Sequence, residues 1–197
     1  MAPAVSRSAE LIDLKTLHEG WGRLVALRIR LPGGEVIRRE VEDHGAAVCV
    51  LPYDPARRVA LMVRQFRAAV FHAGGEAEML EAPAGMLDED EPANGARREV
   101  LQEVGLTLAV LEPVGAVWTM PGISTELMHL FLAPYGPGDR IGAGGGVAGE
   151  HESITVAETA LTELAALADR GALTDLKTFT LVQTLRLRRP DLFVSPG

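Results

Sequence analysis

Alternating apolar and polar residues predict β-strands in the first half of the chain. In residues 24–31, apolar side chains occupy every second position and two arginines lie between them, which is the period of a half-buried strand. Pro32, Gly33 and Gly34 form a strong turn signal, so residues 35–41 are predicted to return as the second strand of a hairpin. Further strands are predicted at residues 46–51, 59–66, 114–118, 127–133 and 153–157.

Helical spacing replaces this alternation in three later segments. Residues 93–104 predict a helix, because Pro92 suits a first turn, Gly105 suits the position after the end, and apolar residues recur on one face. Residues 159–170 and 174–189 predict two more helices. Strands and helices that do not strictly alternate predict an α+β or layered α/β/α fold.

Composition places these elements in a globular chain of ordinary size. The 197 residues are 47% apolar and 23% charged, and no stretch approaches about 18 uncharged apolar residues, so we expect no membrane span. We expect a β segment at residues 1–44 and a main domain at residues 45–190. Cys49 is the only cysteine and no signal-like apolar run is seen, so we expect a cytoplasmic protein. A net charge of −8 disfavours nucleic acid as a partner.

The first predicted helix carries two acids with the spacing of a metal site. Glu99 and Glu103 would lie about 6 Å apart along the axis on one face, and Gln102 lies close to that face. Two such carboxylates repel each other, and a hard divalent cation such as Mg²⁺ turns the repulsion into attraction. The alternative is an ordinary solvated acidic face that is screened by Arg97 and Arg98.

A longer pattern surrounds these acids. It resembles the Nudix box of the Nudix hydrolases and consists of Gly85, Glu91, Arg98-Glu99-Val100, Gln102-Glu103 and Gly105-Leu106. Two departures stand out. Six residues separate Glu91 from Arg98, one fewer than in the box, and Gln102 stands where the first acid of a Glu-Glu pair is expected. An amide oxygen accepts hydrogen bonds or weakly ligates a cation but carries no charge.

The resemblance extends beyond the box, over most of residues 20–185, to the GDP-mannose pyrophosphatase branch, which is close to the ADP-ribose pyrophosphatases. The matching segments are residues 34–41, 64–67, 121–122, 125–127 and 143–147. The resemblance implies a Nudix-type α/β/α sandwich with a mixed sheet and an N-terminal antiparallel β appendage. It also implies hydrolysis of the diphosphate of a nucleoside-diphosphate sugar to a nucleoside monophosphate and a sugar phosphate. ADP-ribose hydrolysis is one alternative. Another is a domain that senses a nucleotide without cleaving it, and the replacement of an expected acid by Gln102 supports this alternative.

Roles for individual residues follow from the same resemblance. Glu99, Glu103 and the backbone carbonyl of Ala84 would hold Mg²⁺ or Mn²⁺, with Gln102 as a weak ligand, and Arg98 would pair with a box carboxylate.

Substrate contacts are implied for five further residues: Arg67 at the diphosphate, Arg39 and Glu40 across a subunit contact, Trp21 near the nucleotide base, and Glu126 near the substrate. Each has an ordinary alternative as a solvated surface residue or, for Trp21, as a side chain packed under the hairpin.

Residues 141–149 form a glycine-rich segment. A glutamate after this segment completes the implied site, because a loop acid at this place in relatives binds metal or acts as general base. Counting forward from the glycines favours Glu150, whereas counting back from the strand at Ile154 favours Glu152, which we prefer because a strand is the firmer anchor. Relatives exchange N-terminal segments between subunits, and a lone two-stranded ribbon is marginal in water, so we expect a homodimer.

Overall fold

The chain divides into two compact units in a computed structural model. The described residues are 8–87, 91–146 and 154–194. The first unit consists of Met1–Ala46 with Trp118–Leu127, and the second of Ala47–Val117 with Met128–Gly197. The first unit includes a segment from the middle of the chain, and the domain division at residue 44 stays a prediction. No helix in the described ranges is long and apolar enough to cross a membrane.

Within its described residues, the first unit contains an antiparallel sheet with the strand order β1-β2-β3. The strands are β1 (Glu10–Glu19), β2 (Arg23–Arg30) and β3 (Val36–Asp43). The turn between β2 and β3 closes with a 2.8 Å hydrogen bond from the Gly34 N–H to the Leu31 carbonyl, and Gly34 adopts a φ of 89°. The predicted hairpin and the antiparallel appendage are therefore confirmed.

Strand β1 was not predicted, because its apolar residues do not alternate. Leu11, Leu14 and Leu17 recur every three positions. The pairing with β2 shifts register between Leu11 and Asp13 and again after Thr16. Each such bulge changes the phase of the residues that follow it, so the pattern of an ordinary strand is lost.

A late segment of the chain extends the first unit beside the end of β3. The Glu42 N–H donates to the Ile123 carbonyl at 2.7 Å, and the Thr125 N–H donates to the Glu42 carbonyl at 2.9 Å. The Thr125 hydroxyl also donates to Asp43 at 2.8 Å, and Arg23 pairs with the same carboxylate. Hydrogen bonds from Arg23 and Thr125 lower the pKa of Asp43.

The second unit combines a larger sheet with the helices. In the described residues the sheet has the order β10-β5-β4-β9-β8, with β6 paired to β5 and β7 paired to β4. Its strands are β4 (Ala46–Asp54), β5 (Val59–Phe66), β6 (Glu78–Glu81), β7 (Ala84–Leu87), β8 (Glu112–Trp118), β9 (Leu127–Pro134) and β10 (Ile154–Ala160). The helices are α1 (Ala68–His72), α2 (Pro92–Val104), α3 (Leu161–Asp169), α4 (Leu176–Arg188) and a 3₁₀ helix at Pro190–Phe193.

Strand β4 separates two apolar cores because its side chains point alternately to opposite faces. Cys49 and Leu51 lie in one core with side chains of α3 and α4. Val48 and Val50 lie in the other core with side chains of α2. The sheet is thus covered by helices on both faces, and the predicted α+β sandwich is confirmed.

Helix α2 begins and ends at the residues that the sequence indicated, within one position. The Glu91 side chain caps the start by accepting from the Ala93 N–H at 3.2 Å, and Pro92 occupies the first turn. Gly105 ends the helix in the left-handed conformation, with its N–H donating to the Leu101 carbonyl at 3.1 Å. The helix therefore stops one residue after Glu103, which places that carboxylate in its last turn.

The glycine-rich segment docks its backbone on the end of α2. The Gly145 N–H donates to the Glu103 carbonyl at 2.9 Å, and the Gly146 N–H donates to the Gln102 carbonyl at 3.1 Å. A Cβ at Gly144 would lie 2.3 Å from the Glu103 carbonyl oxygen, so only glycine permits this approach. The contact satisfies carbonyl groups that a helix end otherwise leaves unpaired.

Replacing Gly105 tests this docking against a matched control. Gly105 and Gly171 both have a φ of 71°, but a Cβ at Gly105 would lie 2.2 Å from the Gly142 carbonyl oxygen, whereas nothing lies within 4 Å at Gly171. We expect Gly171→Ala to lower the free energy of unfolding by about 1–2 kcal/mol through backbone strain alone. Gly105→Ala should cost about 1–3 kcal/mol more, because the segment must move. Urea unfolding measures both, and equal losses would contradict the docking.

Candidate metal centre and diphosphate site

Helix α2 brings the carboxylates of Glu99 and Glu103 against the start of β7. The Ala84 N–H donates to Glu103 Oε2 at 3.1 Å. The Glu99 carboxylate occupies the space beside Gly85, where a Cβ would lie 2.2 Å from Glu99 Cδ. The two acids therefore meet consecutive backbone residues, and a larger residue at position 85 would displace Glu99.

Arg98 orients the first of these acids. Its Nη2 and Nε donate to Glu99 Oε1 at 3.0 and 3.3 Å, and Nη2 also donates to the Met86 carbonyl at 3.3 Å. The guanidinium thus ties Glu99 to β7 as well as to its own helix. Such charged hydrogen bonds are stronger than neutral ones, so they restrict the carboxylate to one orientation.

The donor set fits a hard divalent cation. Glu103 is only 4% exposed, and the Glu99 side chain is also largely shielded from solvent. Two neighbouring carboxylates that are removed from water need positive charge to compensate them. Carboxylate and carbonyl oxygens are the ligands that Mg²⁺ prefers, so Glu99, Glu103 and the predicted Ala84 carbonyl suit it chemically.

The other residues predicted at this end of the site are Gln102 and the two loop acids. Gln102 is half-buried on the same turn of α2, and its backbone carbonyl accepts from the glycine-rich segment. The predicted loop acids Glu150 and Glu152 lie outside the described residues. In the part of the chain that the structure describes, no group of three or more His, Cys, Asp or Glu side chains is arranged to hold a metal ion.

A buried ionic network adjoins these acids. The Glu81 carboxylate accepts from Arg67 Nε at 2.6 Å and from Arg67 Nη2 at 2.8 Å. Lys177 Nζ also pairs with Glu81 and donates to Asp175 at 2.8 Å. The Glu81 side chain is 2% exposed, whereas that of Arg67 is 38% exposed. Two cations and two anions therefore balance each other between the end of β6 and the start of α4.

The network keeps its groups charged. Burial alone would raise the pKa of Glu81, but hydrogen bonds from Arg67 and the charge of Lys177 outweigh it and hold the pKa below its ordinary value. Burial would likewise lower the pKa of Lys177, but the charges of Asp175 and Glu81 raise it instead. Hydrogen bonds to Glu81 raise the pKa of Arg67, and the charges of Asp175 and Glu103 contribute further. Glu81, Lys177 and Arg67 are therefore all ionised at neutral pH.

The same region fixes the backbone between β6 and β7. The Ala82 N–H donates to the Thr178 hydroxyl at 2.7 Å, and that hydroxyl donates to Asp175, which caps α4. The Val50 N–H donates to the Pro83 carbonyl at 2.9 Å. The position of the segment that meets Glu99 and Glu103 is thus set by α4 and β4 together.

Sequence reasoning missed the network around Arg67. It expected that residue at a diphosphate or on the surface, and the partners Glu81, Lys177 and Asp175 were not considered. A signal was present at Glu81, because it is a lone charge among Met79, Leu80 and Ala82 in an apolar strand pattern. A charge in such a pattern is buried only when it is paired. Its partners lie 14 and 96 positions away, which no local pattern reveals.

Trp21 belongs to the first unit and is 88% exposed. Its ring lies 5.3 Å from the His44 ring at an interplanar angle of 48°. The side chain therefore does not pack under the hairpin, and most of the indole surface is exposed.

Three other predicted substrate residues also belong to the first unit. Arg39 and Glu40 are exposed on β3, where Arg39 donates to the Arg38 carbonyl at 2.9 Å and Glu40 pairs with the Arg38 side chain at 2.8 Å. Glu126 is half-buried, and its N–H donates to the Ser124 hydroxyl at 3.1 Å. Their roles toward a substrate stay predictions.

The chain is similar to known proteins over most of its length. The NUDIX domain family matches residues 43–178. A GDP-mannose pyrophosphatase of Cronobacter sakazakii (strain ATCC BAA-894) is 39% identical over 189 residues, which are 93% of this chain and 98% of the relative. A GDP-mannose pyrophosphatase of Citrobacter koseri is 35% identical over 186 residues, covering 92% of this chain and 96% of the relative.

A similar fold is also found among solved structures. A crystal structure of an ADP compounds hydrolase matches with a TM-score of 0.74 over 94% of this chain and 97% of that chain. The sequence identity of 16% limits this likeness to the fold. Since the family match spans more than half of the residues and two relatives cover almost the whole chain, the protein belongs to the Nudix family and is similar to its GDP-mannose pyrophosphatases.

Proposed function

We propose that this protein hydrolyses the diphosphate linkage of a nucleoside-diphosphate sugar similar to GDP-mannose, in a reaction that depends on Mg²⁺ or Mn²⁺. The products are a nucleoside monophosphate and a sugar phosphate. The observation that carries the proposal is the meeting of Glu99 and Glu103 at the backbone of Ala84 and Gly85. The names of the GDP-mannose pyrophosphatases that match almost the whole chain support the substrate class.

Helix α2 and the start of β7 supply the proposed metal site. Glu99, Glu103 and the Ala84 carbonyl hold the cation, with the Gln102 amide oxygen as a weaker ligand, and Arg98 keeps Glu99 in place. When bound, the cation neutralises charge on the phosphoryl oxygens and lowers the pKa of a coordinated water. The Ala84 N–H stabilises Glu103 as an anion, because a hydrogen bond to a carboxylate favours its charged form.

Two further side chains take part in the proposed reaction, one in binding the diphosphate and one in activating water. Arg67 binds the diphosphate oxygens, for which a planar fork of donors is suited. Glu152, or Glu150 in its place, takes the proton of the attacking water as general base.

For four residues of the first unit we propose the substrate contacts that the family resemblance implies. Trp21 offers its exposed indole face to the nucleotide base, because aromatic faces stack on bases of any sequence. Glu126 lies at the substrate, and Arg39 and Glu40 reach the substrate of a partner subunit. The protein acts as a cytoplasmic homodimer without nucleic-acid or membrane partners, consistent with its acidic charge and its single buried thiol at Cys49.

Glu103→Gln tests the metal site. The amide keeps the shape of the side chain but removes its charge, so we expect turnover of GDP-mannose with Mg²⁺ to fall by at least about 100-fold with an unchanged fold. Release of GMP measures turnover, and circular dichroism measures the fold. Glu163→Gln, which removes an exposed acid of α3, is the matched control and should leave turnover unchanged. Near-normal turnover of Glu103→Gln would contradict the metal assignment.

A substrate panel tests the reaction class. We expect the kcat/KM for GDP-mannose to exceed that for ADP-ribose, with GMP and mannose 1-phosphate as products. A preference for ADP-ribose would favour the ADP-ribose pyrophosphatase alternative. Tight nucleotide binding without any monophosphate product would instead indicate a sensing domain, and both results would overturn the proposed activity.

The homodimer is tested at β1. Leu11, Leu14 and Leu17 are 57, 47 and 40% exposed, so this strand offers apolar side chains to a partner. We expect light scattering to give twice the mass of one chain, and Leu14→Lys to reduce it toward one chain. Asp13→Lys places a lysine at an exposed position on the opposite face of the same strand and should leave the dimer intact. A monomeric mass for the unmodified protein would contradict the prediction.

A further inference from the structure

The Glu81 carboxylate has no role in the reaction proposed above, yet it contacts a residue that does. It is buried at the end of β6, and both of its oxygens accept from the same edge of the Arg67 guanidinium. A buried carboxylate is costly unless its partners are well placed, so this pairing calls for an explanation.

The geometry of the pair leaves part of the guanidinium available. An arginine side chain has five N–H donors, and the pairing with Glu81 uses one on Nε and one on Nη2. The outer edge, formed by Nη1 and the second hydrogen of Nη2, has no other partner among the described residues. That edge is a second fork, of the shape that binds two oxygens of a phosphate group.

Burial distinguishes the two edges. Glu81 is almost wholly buried, whereas more than a third of the Arg67 side chain is exposed, so the carboxylate lies on the protein side of the guanidinium. Glu81 lies three residues before Ala84, whose N–H donates to Glu103, so the pairing holds Arg67 on the same segment that meets the proposed metal ligands. A diphosphate bound there meets the free fork.

Glu81 is itself held from the opposite side. Lys177 pairs with its Oε2, and Asp175 pairs with Lys177. Because Asp175 also caps α4 through Thr178, the carboxylate is anchored to a helix end. A guanidinium fixed in this way loses little conformational freedom when it binds a ligand.

We propose that Glu81 is a positioning residue, whose buried carboxylate holds one edge of Arg67 so that the opposite edge is presented to the substrate diphosphate. This inference rests on the proposed function. It assigns Glu81 no contact with the substrate.

Chemical rescue tests the proposal, because a purely structural role for Glu81 would not change how kcat/KM responds to added guanidinium. Arg67→Ala should lower the kcat/KM for GDP-mannose by about 100-fold. Guanidinium chloride at millimolar concentration should restore it by about tenfold, because the free ion occupies the place that Glu81 defines. In the Arg67→Ala/Glu81→Gln variant, the same salt should restore nothing. Methylammonium, which lacks the fork, should not rescue either protein.

A double-mutant comparison supplies the second readout. Glu81→Gln alone should lower kcat/KM nearly as much as Arg67→Ala. The kcat/KM of the double variant should be no lower than that of the less active single variant, because Glu81 acts through Arg67. Arg64→Ala is the matched control, since Arg64 is an exposed arginine of β5, three residues before Arg67. It should neither lose activity nor respond to guanidinium.

The outcomes separate this inference from the proposed function. Rescue that survives Glu81→Gln, or losses that multiply in the double variant, would overturn the role of Glu81 while the hydrolase activity stands. Absence of hydrolysis by the unmodified protein would overturn the proposed function and this role with it. If Glu81→Gln does not fold, as judged by circular dichroism, Glu81→Asp replaces it. Aspartate keeps the charge but places its carboxylate farther from position 67. The Arg67→Ala/Glu81→Asp variant should therefore require a higher guanidinium concentration for the same rescue.

Discussion

The interactions that hold the backbone between β6 and β7 determine the geometry of the candidate site. This short segment donates from Ala84 to Glu103 and from Ala82 to Thr178, and it accepts through Pro83 from the central strand β4. One hydrogen bond therefore links it to α2, one to the start of α4 and one to the sheet. Because a metal site tolerates little error in the placement of its ligands, a backbone held from three directions suits the purpose.

The buried carboxylates near this segment are stabilised in two ways. At Glu81, fixed cations from Arg67 and Lys177 compensate the buried carboxylate within the protein. At Glu99 the guanidinium of Arg98 donates to the carboxylate, and at Glu103 the Ala84 N–H does so. Removing one partner of a buried ion pair costs about 3–5 kcal/mol, so the network at Glu81 resists rearrangement. The carboxylate oxygens of Glu99 and Glu103 are ligands of the type that Mg²⁺ prefers.

The sandwich explains how distant segments reach this place. The alternating faces of β4 pack α2 on one side and α3 with α4 on the other, so the ends of helices from both layers come to the same stretch of sheet. The glycine-rich segment then packs on the last turn of α2, where Gly144 permits backbone contact with Glu103. This contact gives the glycines a structural role, because it holds residues 144–146 against the turn of α2 that carries Glu103.

The sequence by itself determined the features that depend on near neighbours. Helix α2, with Glu99 and Glu103 one turn apart, follows from local spacing, and so does the hairpin at Gly34, because a turn or a helical face needs only a few adjacent residues. The tertiary structure decided the rest. The pairing of Glu81 with Arg67 and Lys177 joins segments up to 96 positions apart, and the bulges of β1 are set by its partner strand. Such contacts depend on which faces of the strands and helices pack together. The residues adjacent in sequence do not determine that packing.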